Sequence, residues 1–321
     1  MVVGGNKFLK DWGFETVIFS LLIGLFISNI FSIPKWLKES LSSELFVKIG
    51  LVLLGTTVLF DDLLKAGALG LIQSCVVVFT VWNFCFWLCR KMKIDKEMSL
   101  MLSSAVSICG VSAAVATAGA IKGDKTKLSY VVSLVLVVAV PMILIMPGLA
   151  KLMGLPEDMA GAWIGGTIDT TGAVAATGAI YGEVALQTST IVKFSQNVLL
   201  GVAAFLISIY WSYSKKEVTE EKPTLKVIWL RFPKFVLGFV AASLVFSFCV
   251  APEVVSDAKP ILKNIQGMWF ALAFMSIGLE TDFKSLITSE NRRSTYAFLG
   301  AQAFNVVFTL LVAWILFGLI A

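Results

Sequence analysis

The chain has 321 residues, of which 58% are hydrophobic and only 15% are charged, and its mean hydropathy is +0.88. This composition excludes a soluble domain and predicts a polytopic α-helical membrane protein, because the apolar runs are about twenty residues long and lack the alternation of membrane strands. The formal net charge of +5 is carried by short loops. It therefore predicts membrane orientation and contact with anionic lipids, and it does not suggest a nucleic-acid partner.

Hydropathy divides the chain into ten candidate membrane segments. They are 14–32, 45–60, 66–90, 98–121, 128–150, 162–182, 188–211, 232–251, 264–282 and 296–320. Five segments fall in residues 1–155 and five in residues 156–321, with a water-exposed linker predicted around 212–231. No cleavable signal peptide is expected, because the first apolar run follows charged residues and lacks a cleavage site.

The distribution of Lys and Arg between alternate loops predicts the orientation of the chain. If every segment crosses, fifteen of these residues lie on one side, and the eight on the other side are Lys7, Lys10, Lys65, Lys122, Lys125, Lys127, Lys259 and Lys263. The richer side is expected to be cytoplasmic, with both termini outside the cell membrane, which is the inner membrane in a two-membrane cell. Lys122, Lys125 and Lys127 argue locally against this orientation.

Internal similarity favours an inverted repeat of five plus five segments. The segments that start at 14, 66 and 128 correspond to those that start at 162, 232 and 296. Short similar stretches also relate segment two to segment seven and segment four to segment nine. A second similarity aligns S-I-C-G-V-S-A-A-V-A-T at Ser107 with T-I-D-T-T-G-A-V-A-A-T at Thr167, sixty residues later. This second match is interpreted as shared small-residue chemistry for close helix packing, and not as a repeat.

Segment six contains the strongest candidate for a polar site. Asp169 lies in W-I-G-G-T-I-D-T-T-G-A-V-A-A-T-G, and a carboxylate inside a membrane segment is expensive unless it faces a polar cavity or a partner. Lys193 in the next segment is a candidate partner. The alternative is that Asp169 lies at a frayed helix end in the headgroup region, where the neighbouring threonines cap it. The predicted coupling-ion group comprises Thr167, Asp169, Thr170, Thr171 and Glu280. Glu280 joins this group if segment nine breaks at Gly278, and it is an interfacial cap if the helix simply ends there.

Segment four has the composition of an interrupted helix. It lacks bulky residues from Ser103 onward and is rich in hydroxyl groups, which can satisfy the backbone of an unwound turn. Helix N-termini at such a turn present free N–H groups to an anion. The alternative is tight packing without unwinding. The predicted substrate-binding residues are Ser107, Cys109, Gly110 and Ser112 here, and Lys193, Gln196 and Asn197 in segment seven.

Other classes of function have less support. The chain contains no histidine, which removes histidine-based catalysis and histidine metal ligands. The five cysteines lack metal-type spacing, and no cofactor is expected. D-T-T-G at Asp169 has no second copy to supply the paired carboxylate of an aspartic protease. An ion channel remains an alternative to a carrier, and a membrane-embedded enzyme is a weaker one; the chain is expected not to be an enzyme.

The motifs around Cys109 and Asp169, with T-I-V-K-F-S-Q-N-V-L-L and A-L-A-F-M-S-I-G-L-E-T-D-F, resemble the YeiH-like membrane proteins, a family named for sulfate export. The resemblance covers nearly the whole chain. It implies a secondary carrier of a small anion, with a fold similar to sodium–proton antiporters and bile-acid symporters, a core moving against a panel, and a homodimer. From the residues themselves, alternating access is expected to be coupled to Na⁺, which the carboxylate and hydroxyl oxygens at Asp169 suit, or to H⁺, which the carboxylate alone suits.

Two departures from the family pattern affect the expected substrate. Members usually carry a histidine beside the acidic residue at the position of Asp169, and an arginine shortly after the lysine of segment seven. Here Gln196 and Asn197 occupy the latter neighbourhood. A single fixed cation, Lys193, weakens the expectation of a doubly charged anion, so sulfate, a sulfonate or a similar small anion are all left open.

Overall fold

The computed structural model describes residues 16–30, 42–215, 229–230, 232–280 and 292–320. Within these ranges all regular secondary structure is helical, as predicted. The helices are α1 (Thr16–Ile30), α2 (Ser43–Gly55), α3 (Phe60–Lys91), α4 (Lys96–Ser104), α5 (Val111–Ile121), α6 (Lys125–Leu152), α7 (Glu157–Thr167), α8 (Thr171–Tyr181), α9 (Glu183–Lys215), α10 (Phe235–Leu244), α11 (Pro252–Glu280) and α12 (Arg292–Ala313). Wider π-helical turns extend α4, α10 and α12 over Ala105–Cys109, Val245–Cys249 and Trp314–Ile320. Most of the predicted linker at 212–231 lies outside the described residues.

Four of the helical stretches are long and apolar enough to cross a membrane. They are Phe60–Lys91, Lys125–Leu152, Glu183–Trp211 and Arg292–Ile320. Large apolar side chains stand on their outer faces, and Phe79 and Val307 are 73% and 69% exposed. Lipid chains can cover such side chains without the cost that water would impose. The coarse prediction of an all-helical membrane protein is therefore confirmed.

Predicted segment four folds back on itself. The chain reverses at Gly110, so that α5 returns beside α4. The reversal brings both ends of the segment together, because Lys127 at the start of α6 forms ion pairs with Asp95 and Glu97, at 2.8 and 2.9 Å, just before and within the first turn of α4. Residues 96–121 thus form a re-entrant hairpin, hairpin A, which begins and ends on one side of the helix bundle.

Predicted segment six is a second re-entrant hairpin. Three residues separate α7 from α8, and the two ends of the segment again lie side by side. The carboxylate of Glu157 accepts a hydrogen bond from the backbone N–H of Val184 at 2.9 Å, and the Tyr181 hydroxyl donates to the carbonyl of Leu155. Residues 157–181 are called hairpin B.

Helix α9 shows that the hairpins enter from opposite ends of the bundle. It has 33 residues, or about 50 Å of helix. Near its N-terminus Ala185 contacts Gly161 of hairpin B, whereas further along Ile207 clusters with Leu100 and Ile121 at the base of hairpin A. The tips of both hairpins meet beside the middle of α9. The two ends of the bundle are named the A end and the B end after the hairpin that begins there.

The prediction that residues 98–121 and 162–182 each cross the membrane is therefore wrong. Helices α5, α7 and α8 have eleven residues each, about 16 Å, which is roughly half of a 30 Å hydrocarbon core. The mean hydropathy of a segment is the same for two short antiparallel helices as for one continuous helix. A single turn at the centre converts a crossing into a return, and that turn leaves the mean hydropathy unchanged.

The positions of the breaks do not follow the predicted pairing of five plus five segments. That pairing matches the hairpins with α11 and α1, which are continuous helices. The sixty-residue similarity, interpreted from sequence as common chemistry alone, instead aligns the tips of the two hairpins. Ile108 and Ile168 lie within two residues of the two reversals and occupy equivalent places. A hairpin followed by a long helix thus occurs twice in opposite orientations, as α4–α6 and as α7–α9.

The remaining helices form two groups. Helices α1, α2, α10 and α11 pack together through close glycine contacts, such as Gly24 on Gly278 and Gly55 on Phe239, and are called the panel. Helices α3, α6, α9 and α12 surround the hairpins and form the core with them. Gly172 in α8 packs against Val47 and Ile277 of the panel, so hairpin B forms part of the surface between core and panel.

The re-entrant topology predicts a specific labelling pattern for single cysteines introduced into a cysteine-free background. Lys91→Cys and Lys125→Cys should react with an impermeant maleimide from the same membrane side, and Lys151→Cys from the opposite side. If segment four crossed the membrane, Lys91→Cys and Lys151→Cys would share a side and Lys125→Cys would differ. Oriented vesicles and their inverted counterparts distinguish the two patterns.

The ion pairs at the base of hairpin A predict a pH-dependent contribution to stability. Burial opposes the charged form of Asp95, but hydrogen bonds from Lys127 and from the backbone of Met98 outweigh it and lower the pKa of this carboxyl. A lowered folded-state pKa stabilises the fold above about pH 4 and loses its effect as pH falls through the folded-state value. Lys127→Met should therefore cost about 0.5–1 kcal/mol at pH 7, and less at acid pH.

The measurement is thermal unfolding of the purified protein in detergent at neutral and acid pH. Lys125→Met is the matched control, because Lys125 lies two residues earlier in the same helix, is exposed and forms no ion pair in the structure. Equal effects of the two substitutions at pH 7 would contradict a role for the Lys127 ion pairs.

Candidate functional site

Lys193 joins the tips of the two hairpins. Its side chain is 1% exposed, and its ammonium group donates hydrogen bonds to the carbonyl of Ile108 at 2.8 Å, to that of Ile168 at 2.7 Å and to Gln196 Oε1 at 2.8 Å. These carbonyls end the first arm of each hairpin, where the helix dipole is negative. A buried cation there satisfies groups that would otherwise lack partners.

Amide side chains donate hydrogen bonds to the neighbouring backbone carbonyls of the tips. Gln196 donates to the carbonyl of Gly166 at 3.0 Å, and Gln302 to that of Thr167 at 3.0 Å. Asn305 lies between the hairpins and donates to Val106 O and Thr167 O, both at 3.2 Å. The unwound backbone is thus held by donors from α9 and α12, as burial at membrane depth requires.

Gly110 permits the sharp reversal of hairpin A. Its φ of +49° is a conformation that a residue with a Cβ rarely adopts. A Cβ at this position would also lie 2.7 Å from Val135 Cγ1 and 3.2 Å from Asp169 Cβ. The prediction of a helix interruption here is confirmed, and the glycine also allows hairpin A to pack directly against the break of hairpin B.

The second arms of both hairpins begin at a cavity. Its volume is about 860 Å³, and it separates the hairpin tips from the panel. Val111 and Ser112 of α5 and Thr171 and Gly172 of α8 line it. The first backbone N–H groups of a helix have no partner within that helix. Two helix N-termini therefore face one cavity, while the corresponding C-termini face Lys193 and the amide donors.

The predicted substrate-binding residues fall into two groups. Cys109, Ser112 and Asn197 line the cavity; Asn197 is 3% exposed, donates to Thr171 Oγ1 at 3.2 Å, and its Oδ1 has no hydrogen-bond partner. Ser107 does not line it, because its hydroxyl donates to the carbonyl of Ser103 within α4 at 2.7 Å. Gly110, Lys193 and Gln196 do not line the cavity either. Gly110 lies in the tip of hairpin A, and Lys193 and Gln196 donate hydrogen bonds to carbonyls of the two tips.

The predicted coupling-ion residues lie at the break of hairpin B, except for Glu280. Thr170 is the N-cap of α8, with its Oγ1 accepting from the N–H of Ala173, and Thr171 faces the cavity. Thr167 Oγ1 and Asp169 Oδ2 are buried without a hydrogen-bond partner. Among the residues that the structure describes, six buried side-chain atoms lack a partner, and all six are oxygens; Gln302 Oε1 is another of them.

Two expected contacts differ in the structure. Asp169 and Lys193 do not form the proposed direct ion pair, because the ammonium group is occupied by two carbonyls and Gln196. Glu280 does not join Asp169; it lies on the panel wall of the cavity, where it accepts a hydrogen bond from Ser43 Oγ at 2.8 Å. Within the described residues, no three Cys, Asp or Glu side chains cluster as metal ligands.

Sequence reasoning missed Gln302 and Asn305. Both are buried polar residues within an apolar helix, and Thr309 donates to Asn305 Oδ1 at 2.8 Å, which orients the amide. The signal was present in the sequence as A-Q-A-F-N-V-V-F-T, since amides inside an apolar span require partners. The partners themselves are more than a hundred residues away and could not be identified without the fold.

Lys193→Met should severely destabilise the protein, by about 3–5 kcal/mol, because it leaves the carbonyls of Ile108 and Ile168 buried without donors. Thermal unfolding in detergent measures the effect. Lys48→Met is the matched control, since Lys48 forms a partly exposed ion pair with Glu44 and should cost at most about 1 kcal/mol. Similar losses for the two variants would contradict the joining role of Lys193.

Comparison with known proteins identifies the family of the chain. The family described as Conserved hypothetical protein 698 matches residues 2–297. A UPF0324 membrane protein of Rhodopirellula baltica is 39% identical over 99% of this chain and 60% of its own length, and one of Nitratidesulfovibrio vulgaris is 38% identical over 99% and 57%. A UPF0324 membrane protein of Bacillus anthracis is 25% identical over 95% and 90%.

The chain spans about three fifths of the length of the first two relatives. No solved structure matches it. With a family match over more than nine tenths of its residues, the chain belongs to the YeiH-like family described as Conserved hypothetical protein 698, whose members include the UPF0324 membrane proteins.

Proposed function

We propose that the protein is a secondary transporter that binds a small anion between the two hairpin tips and the panel. The observation that carries the proposal is the cavity onto which the N-termini of α5 and α8 both open. Helix N-termini favour anions through free N–H groups and a partial positive charge of roughly half a unit each. The hydroxyl groups of Ser112 and Thr171 line the same wall and add further donors.

Alternating access is supported by the position of this cavity between core and panel. Lys193, Gln196 and Asn305 tie both hairpins to α9 and α12, so the tips and their helices constitute one unit. Movement of that unit against the panel would carry the anion with it. A channel, the other class considered, would require a continuous pore instead of a site carried by a moving unit.

Asp169 is proposed to couple transport to a cation. Thr167 Oγ1, Asp169 Oδ2 and Gln302 Oε1 are buried oxygens without partners at the break of hairpin B, and oxygen atoms are the ligands that hard cations prefer. These residues would hold Na⁺, whose charge would offset that of the carboxylate; protonation of Asp169 would have the same electrostatic effect. Asp169 is separated from the cavity by the N-cap of α8, so coupling would act through the tip.

The re-entrant hairpins remove the local conflict in the distribution of Lys and Arg, which supports the proposed orientation. Lys122, Lys125 and Lys127, which opposed the expected orientation, lie at the A end together with Arg90 and Lys91. Counting the described loop and helix-end residues, eleven Lys and Arg lie at the A end: Arg90, Lys91, Lys93, Lys96, Lys122, Lys125, Lys127, Lys215, Lys234, Arg292 and Arg293. The four at the B end are Lys65, Lys151, Lys259 and Lys263.

We therefore infer that the A end is cytoplasmic in the cell (inner) membrane. The cavity extends toward this end, where Glu44 is 74% exposed at its rim, so the described conformation corresponds to an inward-facing carrier. Homodimerisation is retained as a proposal from the family resemblance.

The test is thermal stability of the purified protein, scanned against sulfate, sulfonates, carboxylates and bicarbonate with Na⁺ or choline at two pH values. A ligand that binds only the folded protein stabilises it by about 2.7 kcal/mol at 100 times its Kd. We expect stabilisation by at least one anion class, larger with Na⁺ or at one pH, and loss of the cation dependence in Asp169→Asn.

Asp62→Asn is the control, because Asp62 is an exposed carboxylate in the first turn of α3 and does not line the cavity. It should keep the parent response to both anion and cation. Absence of stabilisation by every anion would contradict the carrier site, and an unchanged cation response in Asp169→Asn would contradict the coupling role.

A further inference from the structure

The cavity beside the hairpin tips contains no surplus fixed cation among the described residues. Its charged lining residues are Glu44, Lys48, Lys234 and Glu280, which sum to zero formal charge. Lys48 is already paired with Glu44 at 2.7 Å. Lys193 lies behind the tips with its ammonium group occupied by three oxygen acceptors, so it does not serve as a free counter-charge in the cavity.

The positive potential available to a ligand therefore comes from the two helix N-termini. Each is equivalent to roughly half a unit charge, and together they match one negative charge and not two. The side chain of Asn197 gives an independent indication of a ligand at this place. It lies in the cavity wall, is 3% exposed and has an unpartnered Oδ1, a buried acceptor that a water molecule bound together with the ligand would satisfy.

The rest of the cavity is suited to an apolar group. Leu136, Val140 and Ile143 form a stripe along α6, and Ile277 lies on the panel side. The volume of about 860 Å³ falls within the range of sites that enclose organic ligands. A fully hydrated inorganic ion would leave this stripe in contact with water, whereas an apolar ligand body would cover it.

We infer that the substrate is an organic monoanion, with one carboxylate or sulfonate head at the N-termini of α5 and α8 and an apolar body along α6. This inference rests on the proposed transporter function and specifies its substrate class. Inorganic sulfate, with two charges and no apolar surface, fits the site poorly.

The test is isothermal titration calorimetry on the full chain in nanodiscs, with sulfate and with two series of ligands from one to six carbons, alkyl sulfonates and alkyl carboxylates. Burial of each methylene group should increase affinity by about threefold to fourfold. Sulfate should bind more weakly than the longest member of either series by at least tenfold. Comparison of the two series identifies the preferred head group.

Two variants and one ligand control separate the site from membrane partitioning. Leu136→Ala should reduce the affinity for the six-carbon ligands at least threefold and leave methanesulfonate and acetate unchanged. Leu144→Ala, on the same helix but 43% exposed and not in the cavity wall, should change neither. Hexylammonium, with the same tail and opposite charge, should not bind to the site.

The outcomes distinguish the two levels of the proposal. Tighter binding of sulfate than of every organic monoanion, or affinity independent of chain length, would overturn the inference and leave the carrier intact. Equal effects of Leu136→Ala and Leu144→Ala would also overturn it. Absence of binding by all anions would instead overturn the proposed function.

Discussion

The arrangement of the core depends on one buried ammonium group. Lys193 bonds to Ile108 O and Ile168 O, two carbonyls at the ends of the first arms of the hairpins. Burying a lone cation at membrane depth would cost several kcal/mol, and burying two helix C-termini without donors would add to that cost. Here the two costs offset each other, because the negative ends of two helix dipoles surround the cation and the cation donates hydrogen bonds to their carbonyls. The hairpins can therefore stop at the centre of the bundle.

This arrangement places the negative C-terminal ends of the broken helices apart from their positive N-terminal ends. Both C-termini face Lys193, Gln196 and the amides of α12, while both N-termini face the cavity. The donors that hold the fold are thus different from the donors left for a ligand. This explains why Lys193, the residue that the sequence most strongly suggested as an anion ligand, lies behind the tips and has a structural role.

The sequence was sufficient to predict the class of protein, the helical segments, the interruption at Gly110 and the buried polar position of Asp169, but not that the helix breaks at Asp169. Gly110 and Asp169 could be located because small and polar residues interrupt otherwise apolar runs. The direction of the chain after each break could not be predicted, since hydropathy records how apolar a residue is and not the path of the chain. The ion pairs of Lys127 with Asp95 and Glu97 bring residues thirty positions apart together, and only the fold reveals them.

The re-entrant hairpins also explain observations that conflicted at the level of sequence. Three lysines at positions 122–127 opposed the expected orientation only because segment four was assumed to cross, and the return of hairpin A moves them to the richer side. Likewise, the sixty-residue match between S-I-C-G and T-I-D-T does not fit an inverted repeat if both segments cross, because segments two apart then run parallel. With both segments re-entrant, α6 lies between them and carries the chain to the other end, so the two tips oppose each other. Two similar tips with opposite orientation give the site its approximate symmetry, and one of them alone carries the carboxylate. In the proposed carrier, that difference, Asp169 against Cys109, would suit one tip to a coupling cation, while both tips would contribute to anion binding.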